Sequence, residues 1–272
     1  MPELPEVETI RSQLSEKLPL KINKVTNSAG LARNILKTDL PQIKNLKILK
    51  INRKGKILDF VFSDGTHLLS HLGMTGTWLL GEAKHKGNHL HLQLEVQQGK
   101  KKYFLGYDDP RRFGKMYFLD QALSEKKMNQ VGFDLADPDL SLEYVEKSLL
   151  KYPQRAVKVT LLDQKLFAGS GNYIANEICA RAKIRPDRLC QSLSQQDMKS
   201  IYRALRIVIQ KALISGGTTF QGGYRDSTGQ KGQGKNELVV FYQKVCQMCK
   251  KTPVQKFFLA QRGTYFCPHC QK

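Results

Sequence analysis

Cys246, Cys249, Cys267 and Cys270 form two CxxC pairs separated by seventeen residues near the C-terminus. Thiol pairs at this spacing converge from two turns and complete a tetrahedral four-thiolate site, the pattern of a structural zinc hairpin. With all four positions cysteine, no coordination position is left open for catalysis. The expected Zn2+, one per chain, therefore holds a hairpin together, and His269 between the last pair is a bystander. A disulfide framework fits less well, because the N-terminus lacks a basic stretch followed by an apolar segment. No apolar run approaches a membrane span, so the expected location is the cytoplasm.

The chain of 272 residues is long enough for two domains. Its 44 Lys+Arg against 24 Asp+Glu leave a formal charge of +20. An excess of that size implies a polyanionic partner, since each neutralised phosphate releases counterions. A generally basic, soluble surface is the other reading, and composition does not separate the two.

Val7, Ile10, Leu14 and Leu18 recur at helical spacing, predicting an amphipathic helix over about 4–18 with Pro5 tolerated in its first turn. From 20 to 120 the pattern changes to short apolar or alternating runs separated by turn residues, a β-rich sandwich or barrel. The stretch 129–141 reads as a linker. Helical periods follow over 141–151, 155–167, 172–182 and 194–215, each closed by Gly or Pro. Residues 216–237 turn to Gly, Ser, Gln and Lys, a mobile loop, before the cysteine hairpin.

Several loops carry chemistry but each has a plainer alternative. In "DDPRRFGK" (108–115), Arg111 and Arg112 suit phosphate or a base edge and Phe113 could wedge between stacked bases. Phe113 could equally fold back into the core. Met74 in "SHLGMTGT" reads as core, and Lys56 in "NRKGKIL" as one surface lysine among many. Arg262 sits on the turn before the second cysteine pair, well placed for a phosphate, or simply solvated. "AGSGN" and "KGQGKN" match neither a dinucleotide fingerprint nor a P-loop.

The opening "MPELPEVETI" places Pro2 after a methionine that is normally trimmed. A terminal amine titrates near ~7.7–8.0 against ~10.4 for lysine, so roughly one in ten is neutral and nucleophilic at pH 7. Beside Glu3, which can move protons, such an amine could attack an electrophilic sugar carbon. Taken alone, a helix start with acidic residues in its first turn explains the stretch as well.

Taken together, "MPELPEVET", "RKGK", "SHLGMTG", "DDPRRFGK", "LLDQKLFAGSGNYIANE", "SGGTT" and "QRGTYFCPHCQK" resemble the bacterial formamidopyrimidine-DNA glycosylases in order and over the full length. The resemblance implies an α+β protein: a β-sandwich domain with a leading helix (1–133), a helix-two-turn-helix domain with a lesion loop (134–235) and a zinc-finger hairpin (236–272). It implies a monomeric, nucleoid-associated repair enzyme, both glycosylase and abasic-site lyase, that excises 8-oxoguanine and formamidopyrimidines from double-stranded DNA. Pro2 would be the nucleophile, Glu3 its acid/base partner, Lys56 a proton-transfer and backbone-binding residue, and Arg262 a phosphate grip used in δ-elimination. Met74, Arg111 and Phe113 would fill the void left by the flipped nucleotide, with Arg111 on the orphaned cytosine. Asn172 and His89, with Lys158 on the same surface, would contact DNA. The 216–237 segment resembles the loop that closes over the everted lesion.

The chain departs from the family at Tyr173-Ile174, which are exchanged, at Val159 where proline is common, and in "VVFYQKVC" where "VYGR" is typical. The rivals are an endonuclease VIII-like enzyme for oxidised pyrimidines, an inactive damaged-DNA-binding homologue and a zinc-ribbon RNA-binding protein. The "PELPE" opening with Met74, Arg111 and Phe113 argues against the first.

Overall fold

The structure, a computed structural model, describes residues 2–220 and 223–272. The chain divides into two compact units, one from residues 1–130 and 216–233, the other from 131–215 and 234–272. The expected boundaries at 133/134 and 235/236 divide it differently, because residues 216–233 pack with the first unit.

In that first unit, α1 (Leu4–Ser15) forms where expected and stops three residues earlier. Leu4, Val7, Ile10 and Leu14 face inward and are fully buried. Burial of such side chains contributes about 1.5–3 kcal/mol each, so the helix is held mainly by its packed face. Its start is fixed by a reciprocal cap between Glu3 and Glu6, with Pro5 in the first turn where its missing N–H costs nothing.

Eight antiparallel strands follow: β1 (Leu20–Asn27), β2 (Lys47–Lys54), β3 (Ile57–Phe62), β4 (His67–His71), β5 (Thr77–Gly81), β6 (Leu90–Gln98), β7 (Lys101–Asp108) and β8 (Lys115–Leu119). Their order is β5-β7-β6-β1-β2-β3-β4-β8. Strands β3 and β4 lie far from β5 in that order, yet Phe60 and Trp78 meet at 4.9 Å between ring centroids. The Trp78 indole also donates to Ser70 Oγ at 3.0 Å. The sheet therefore curls back on itself into a sandwich around these rings. Register shifts between Ile22 and Lys24, Ile48 and Lys50, and Leu90 and Leu92 supply the local bends. A further helix, α2 (Gln121–Met128), has the Asp120 carboxylate accepting Leu123 N–H as its N-cap. That aspartate was the signal for a helix the hydrophobic pattern does not announce.

The second unit holds a parallel bridge of β9 (Phe133–Asp134) and β10 (Phe167–Ala168) with the helices α3 (Leu142–Leu150), α4 (Val157–Leu161), α5 (Asn172–Arg181) and α6 (Gln195–Ile214). Three of the four expected helices are present within a few residues. The fourth shortens from 155–167 to α4, because β10 pairs with the linker strand instead. Gln164 holds that turn, its amide donating to Leu162 O and Ser170 O and accepting Gly169 N–H. The hairpin of β11 (Gln255–Leu259) and β12 (Arg262–Phe266) closes the chain.

Candidate active site and nucleic-acid interface

Glu3 and Glu6 are buried, and so is Pro2. The Glu6 carboxylate accepts Glu3 N–H at 2.7 Å and Thr218 N–H at 2.6 Å. Gln13 accepts both the N–H and the hydroxyl of Ser227, Thr77 donates to Arg225 O, and Leu80 N–H donates to Ser227 O. The glycine-rich segment expected to be mobile is thus fastened to α1 and β5 on either side of Gln221 and Gly222. Those two residues, within the segment that the resemblance makes a lesion loop, and Met1 lie outside the described residues.

Lys56 occupies the two-residue turn between β2 and β3, where Gly55 takes the positive φ of 58°. Only 6% of the lysine is exposed. A lysine is rarely buried to that degree without a specific reason, which local sequence could not reveal. His71 at the end of β4 was missed by sequence reasoning. Burial, then the charges of Lys56 and Lys115, push its imidazole down to about 4. Its Nδ1 accepts Gly73 N–H at 3.1 Å, so the neutral ring carries its proton on Nε2.

Two loops at the same end of this unit are packed backbone to backbone. A Cβ added to Gly73, at φ 66°, would lie 2.4–2.5 Å from the Phe113 carbonyl group. The buried Asp109 carboxylate accepts the Thr75 hydroxyl at 2.6 Å and Gly114 N–H at 2.8 Å. Arg111 N–H in turn donates to Thr75 Oγ1. These bonds spread the tip outward: Met74 and Arg111 are exposed, Phe113 is 50% exposed, and the Arg111 guanidinium lies 4.7 Å over the Phe113 ring. Neither Met74 nor Phe113 folds into the core. Exposed His89 borders the same loop, its carbonyl accepting Asp109 N–H at 2.9 Å.

In the second unit, Asn172 begins α5 and donates from Nδ2 to Gly263 O at 3.1 Å. Arg262, exposed, precedes that glycine on β12. Lys158 does not lie on the surface where the sequence reading put it. It is 0% exposed, and its ammonium donates to Thr264 Oγ1 at 2.7 Å and Gly263 O at 3.3 Å. A buried charge needs such partners, so Lys158 fixes the hairpin from below. Glu177, also buried, accepts the N–H groups of Val239, Val240 and Phe241 at 2.7–2.9 Å. Burial raises its carboxyl above the usual range, against the opposing pull of those three bonds. The exchanged Tyr173 and Ile174 are both buried in this unit.

The sulfur atoms of Cys246, Cys249, Cys267 and Cys270 lie within 4.8 Å of one another, with Cys249 and Cys267 at 3.9 Å. The edge of a tetrahedron with bonds of about 2.3 Å is about 3.8 Å, so the four thiols fit a metal ion.

Residues 1–116 match the formamidopyrimidine-DNA glycosylase N-terminal domain and residues 131–222 the formamidopyrimidine-DNA glycosylase H2TH domain. The formamidopyrimidine-DNA glycosylases of Listeria monocytogenes and Thermomicrobium roseum are 36% and 35% identical, covering all of this chain and 100% and 99% of their own. The chain belongs to the formamidopyrimidine-DNA glycosylase family. Among solved structures of the family, the MutM (Fpg) protein from Thermus thermophilus superposes with a TM-score of 0.87 at 32% identity, covering 99% of this chain and 98% of its own. The Lactococcus lactis Fpg in complex with DNA containing an abasic site gives 0.87 at 30% identity, covering 99% of both chains.

Proposed function

We propose that the protein is a base-excision repair enzyme that removes oxidised purines from duplex DNA and then cuts the strand. Beyond family membership, the observation that carries this reading is the construction of the N-terminus. A flexible end would need neither a buried Glu3 nor a Glu6 that ties it to Thr218.

In the proposed chemistry, removal of Met1 leaves the secondary amine of Pro2. Its lone pair forms a bond to C1′ of the flipped nucleotide as the glycosidic bond breaks and the base departs with its electron pair. Glu3 moves the proton that ring opening of the sugar requires. The resulting iminium acidifies the adjacent C2′ position, so that elimination breaks the C3′–O bond and a second elimination the C5′–O bond. Lys56, buried near His71, supplies a fixed positive charge for the backbone, and Arg262 grips phosphate. The neutral His71 ring offers an N–H donor there without further charge. Met74, Arg111 and Phe113, spread on their two-loop scaffold, enter the vacated stack and recover part of an unstacking cost of a few kcal/mol. Cys246, Cys249, Cys267 and Cys270, as thiolates, would hold Zn2+, which would supply a rigid hairpin and, with no open coordination position, take no part in the reaction. A cytoplasmic location accords with the described helices, none of which is long and apolar enough to cross a membrane.

The test is base release from matched duplexes carrying 8-oxoguanine opposite cytosine or an oxidised pyrimidine. Faster release of 8-oxoguanine is expected, together with products cut on both sides of the sugar. Faster release of the pyrimidine would overturn the substrate assignment, and a strand left intact would overturn the lyase.

A further inference from the structure

The loops of the first unit that serve the proposed site stand at one end of its sheet. They are the β2–β3 turn with Lys56, the β4–β5 loop with Met74, His89 before β6, and the β7–β8 loop with Arg111 and Phe113. The opposite end holds the starts of β1 and β2 and the β6–β7 turn. Strand β6 has nine residues, so about 30 Å separate the two ends at about 3.3 Å per residue.

A row of lysines crosses that far end. Lys102 lies opposite Gln97, Gln97 opposite Lys21, and Lys21 opposite Lys47, on the four adjacent strands β7, β6, β1 and β2. Residues paired in this way project from the same face, with Cβ atoms about 5 Å apart. Lys100 and Lys101 add two more ammonium groups at the β6–β7 turn. All five lysines are exposed, and none is in an ion pair among the described residues. Gln97, the uncharged member of the row, is fixed in place: its amide accepts from Asn23 Nδ2 at 3.1 Å and donates to Gly99 O at 2.6 Å.

Like charges directly opposite one another destabilise a sheet, so Lys21 facing Lys47 costs stability. The bordering carboxylates do not offset it. Asp64, in the β3–β4 turn, accepts the N–H and hydroxyl of Thr66 at 3.0 and 2.7 Å, and Glu95, further along β6, pairs with Lys84 at 3.5 Å. Leu49 is the one large apolar residue exposed on these four strands among the described residues. A single leucine offers too little apolar surface to seat a protein partner. A nucleic-acid backbone supplies what the row lacks, since its phosphates neutralise several ammonium groups at once and release counterions.

The geometry points to a second duplex-binding surface at this end of the sheet. Lys21, Lys47 and Lys102, with Lys100 and Lys101 at the turn, hold the phosphates of one DNA segment while another occupies the proposed site. Such a surface lets the protein pass between segments without letting go of both. It goes beyond the proposed function, and its test separates the two.

A biotinylated duplex holding a tetrahydrofuran abasic analogue is immobilised, saturated with protein and washed. A labelled undamaged duplex is then added at about 50 mM salt. The parent is expected to capture it. A variant combining Lys21→Gln, Lys47→Gln and Lys102→Gln should capture about tenfold less, with a salt slope lower by about 2–3 for the three charges removed. The same variant should hold the abasic analogue within about twofold of the parent and melt no lower, because the Lys21–Lys47 repulsion is gone. A labelled duplex refused by the parent, or captured equally by the variant, would overturn the second surface and leave the proposed function standing. Weaker binding of the abasic analogue by the variant would overturn it too, since the row would then belong to the first site. Capture of labelled polyglutamate in place of the duplex would assign the row to an acidic protein instead. A parent that fails to hold the immobilised duplex would count against the proposed function alone; the row is then judged by the variant's affinity for undamaged duplex in solution.

Discussion

Glu6 Oε1 accepts the backbone N–H of Thr218 at 2.6 Å, joining residues 212 apart in sequence. The same carboxylate, through its other oxygen, holds Glu3 N–H at 2.7 Å. One buried side chain thus sets both the position of the proposed catalytic terminus and the root of the glycine-rich segment. Gly217 permits the approach, since a Cβ there would lie 2.7 Å from Glu6 Oε1.

Glu6→Ala leaves both donors without this acceptor, at a cost of about 1–3 kcal/mol for each buried N–H. A lower melting temperature is expected, with a fall in single-turnover base release larger than the fall in duplex affinity. Equal losses in rate and affinity would mean that Glu6 supports the fold without placing the terminus.

Asp109→Ala removes the acceptor for Thr75 Oγ1 and Gly114 N–H together. The loops bearing Met74, Arg111 and Phe113 should then lose their fixed spread, although none of the three is altered. Discrimination between 8-oxoguanine opposite cytosine and opposite adenine should shrink, measured as the ratio of excision rates. A ratio unchanged from the parent would separate the scaffold from recognition.

The His71 ring, held near 4 in the folded chain, has an ordinary value of 6.5 when unfolded. The unfolded state therefore takes up a proton first as pH falls. The stability associated with the neutral ring is full above about 6.5 and is lost as pH drops through 4, a span worth roughly 3 kcal/mol. Denaturant unfolding at pH 7 and pH 4.5 should show that loss, and His71→Gln should lose less over the same interval. Identical pH dependence in the two proteins would contradict the burial argument.

Cys249→Ser is expected to bind no metal and to lose duplex affinity together, since the four sulfurs converge where a tetrahedral ion would tie down the hairpin that carries Arg262. Metal analysis of the purified variant settles it. A full zinc complement in Cys249→Ser would rule out the four-cysteine site.

Much of this was legible from local pattern. The heptad-like spacing of Val7, Ile10 and Leu14 gave α1, and the two CxxC pairs gave the sulfur cluster, because both depend on neighbours in sequence. What depends on distant parts of the chain was not. Nothing near Lys158 tells that its ammonium is enclosed by Gly263 and Thr264, about a hundred residues away. Likewise the Gln13 side chain that receives Ser227 lies in a helix remote from the glycine-rich segment, so composition alone suggested mobility. The short β10 displaced the end of a plausible helix for the same reason: its partner, β9, sits in a stretch that reads as a linker.

The central claim is that Pro2, freed of Met1, is the nucleophile. Borohydride reduction during reaction with a duplex holding 8-oxoguanine opposite cytosine, followed by mass mapping of the cross-linked peptide, tests it directly. The result expected is one adduct, on Pro2 at the N-terminus of a chain lacking Met1. An adduct on Lys56 or another lysine, or none despite tight binding to the same duplex, would contradict it.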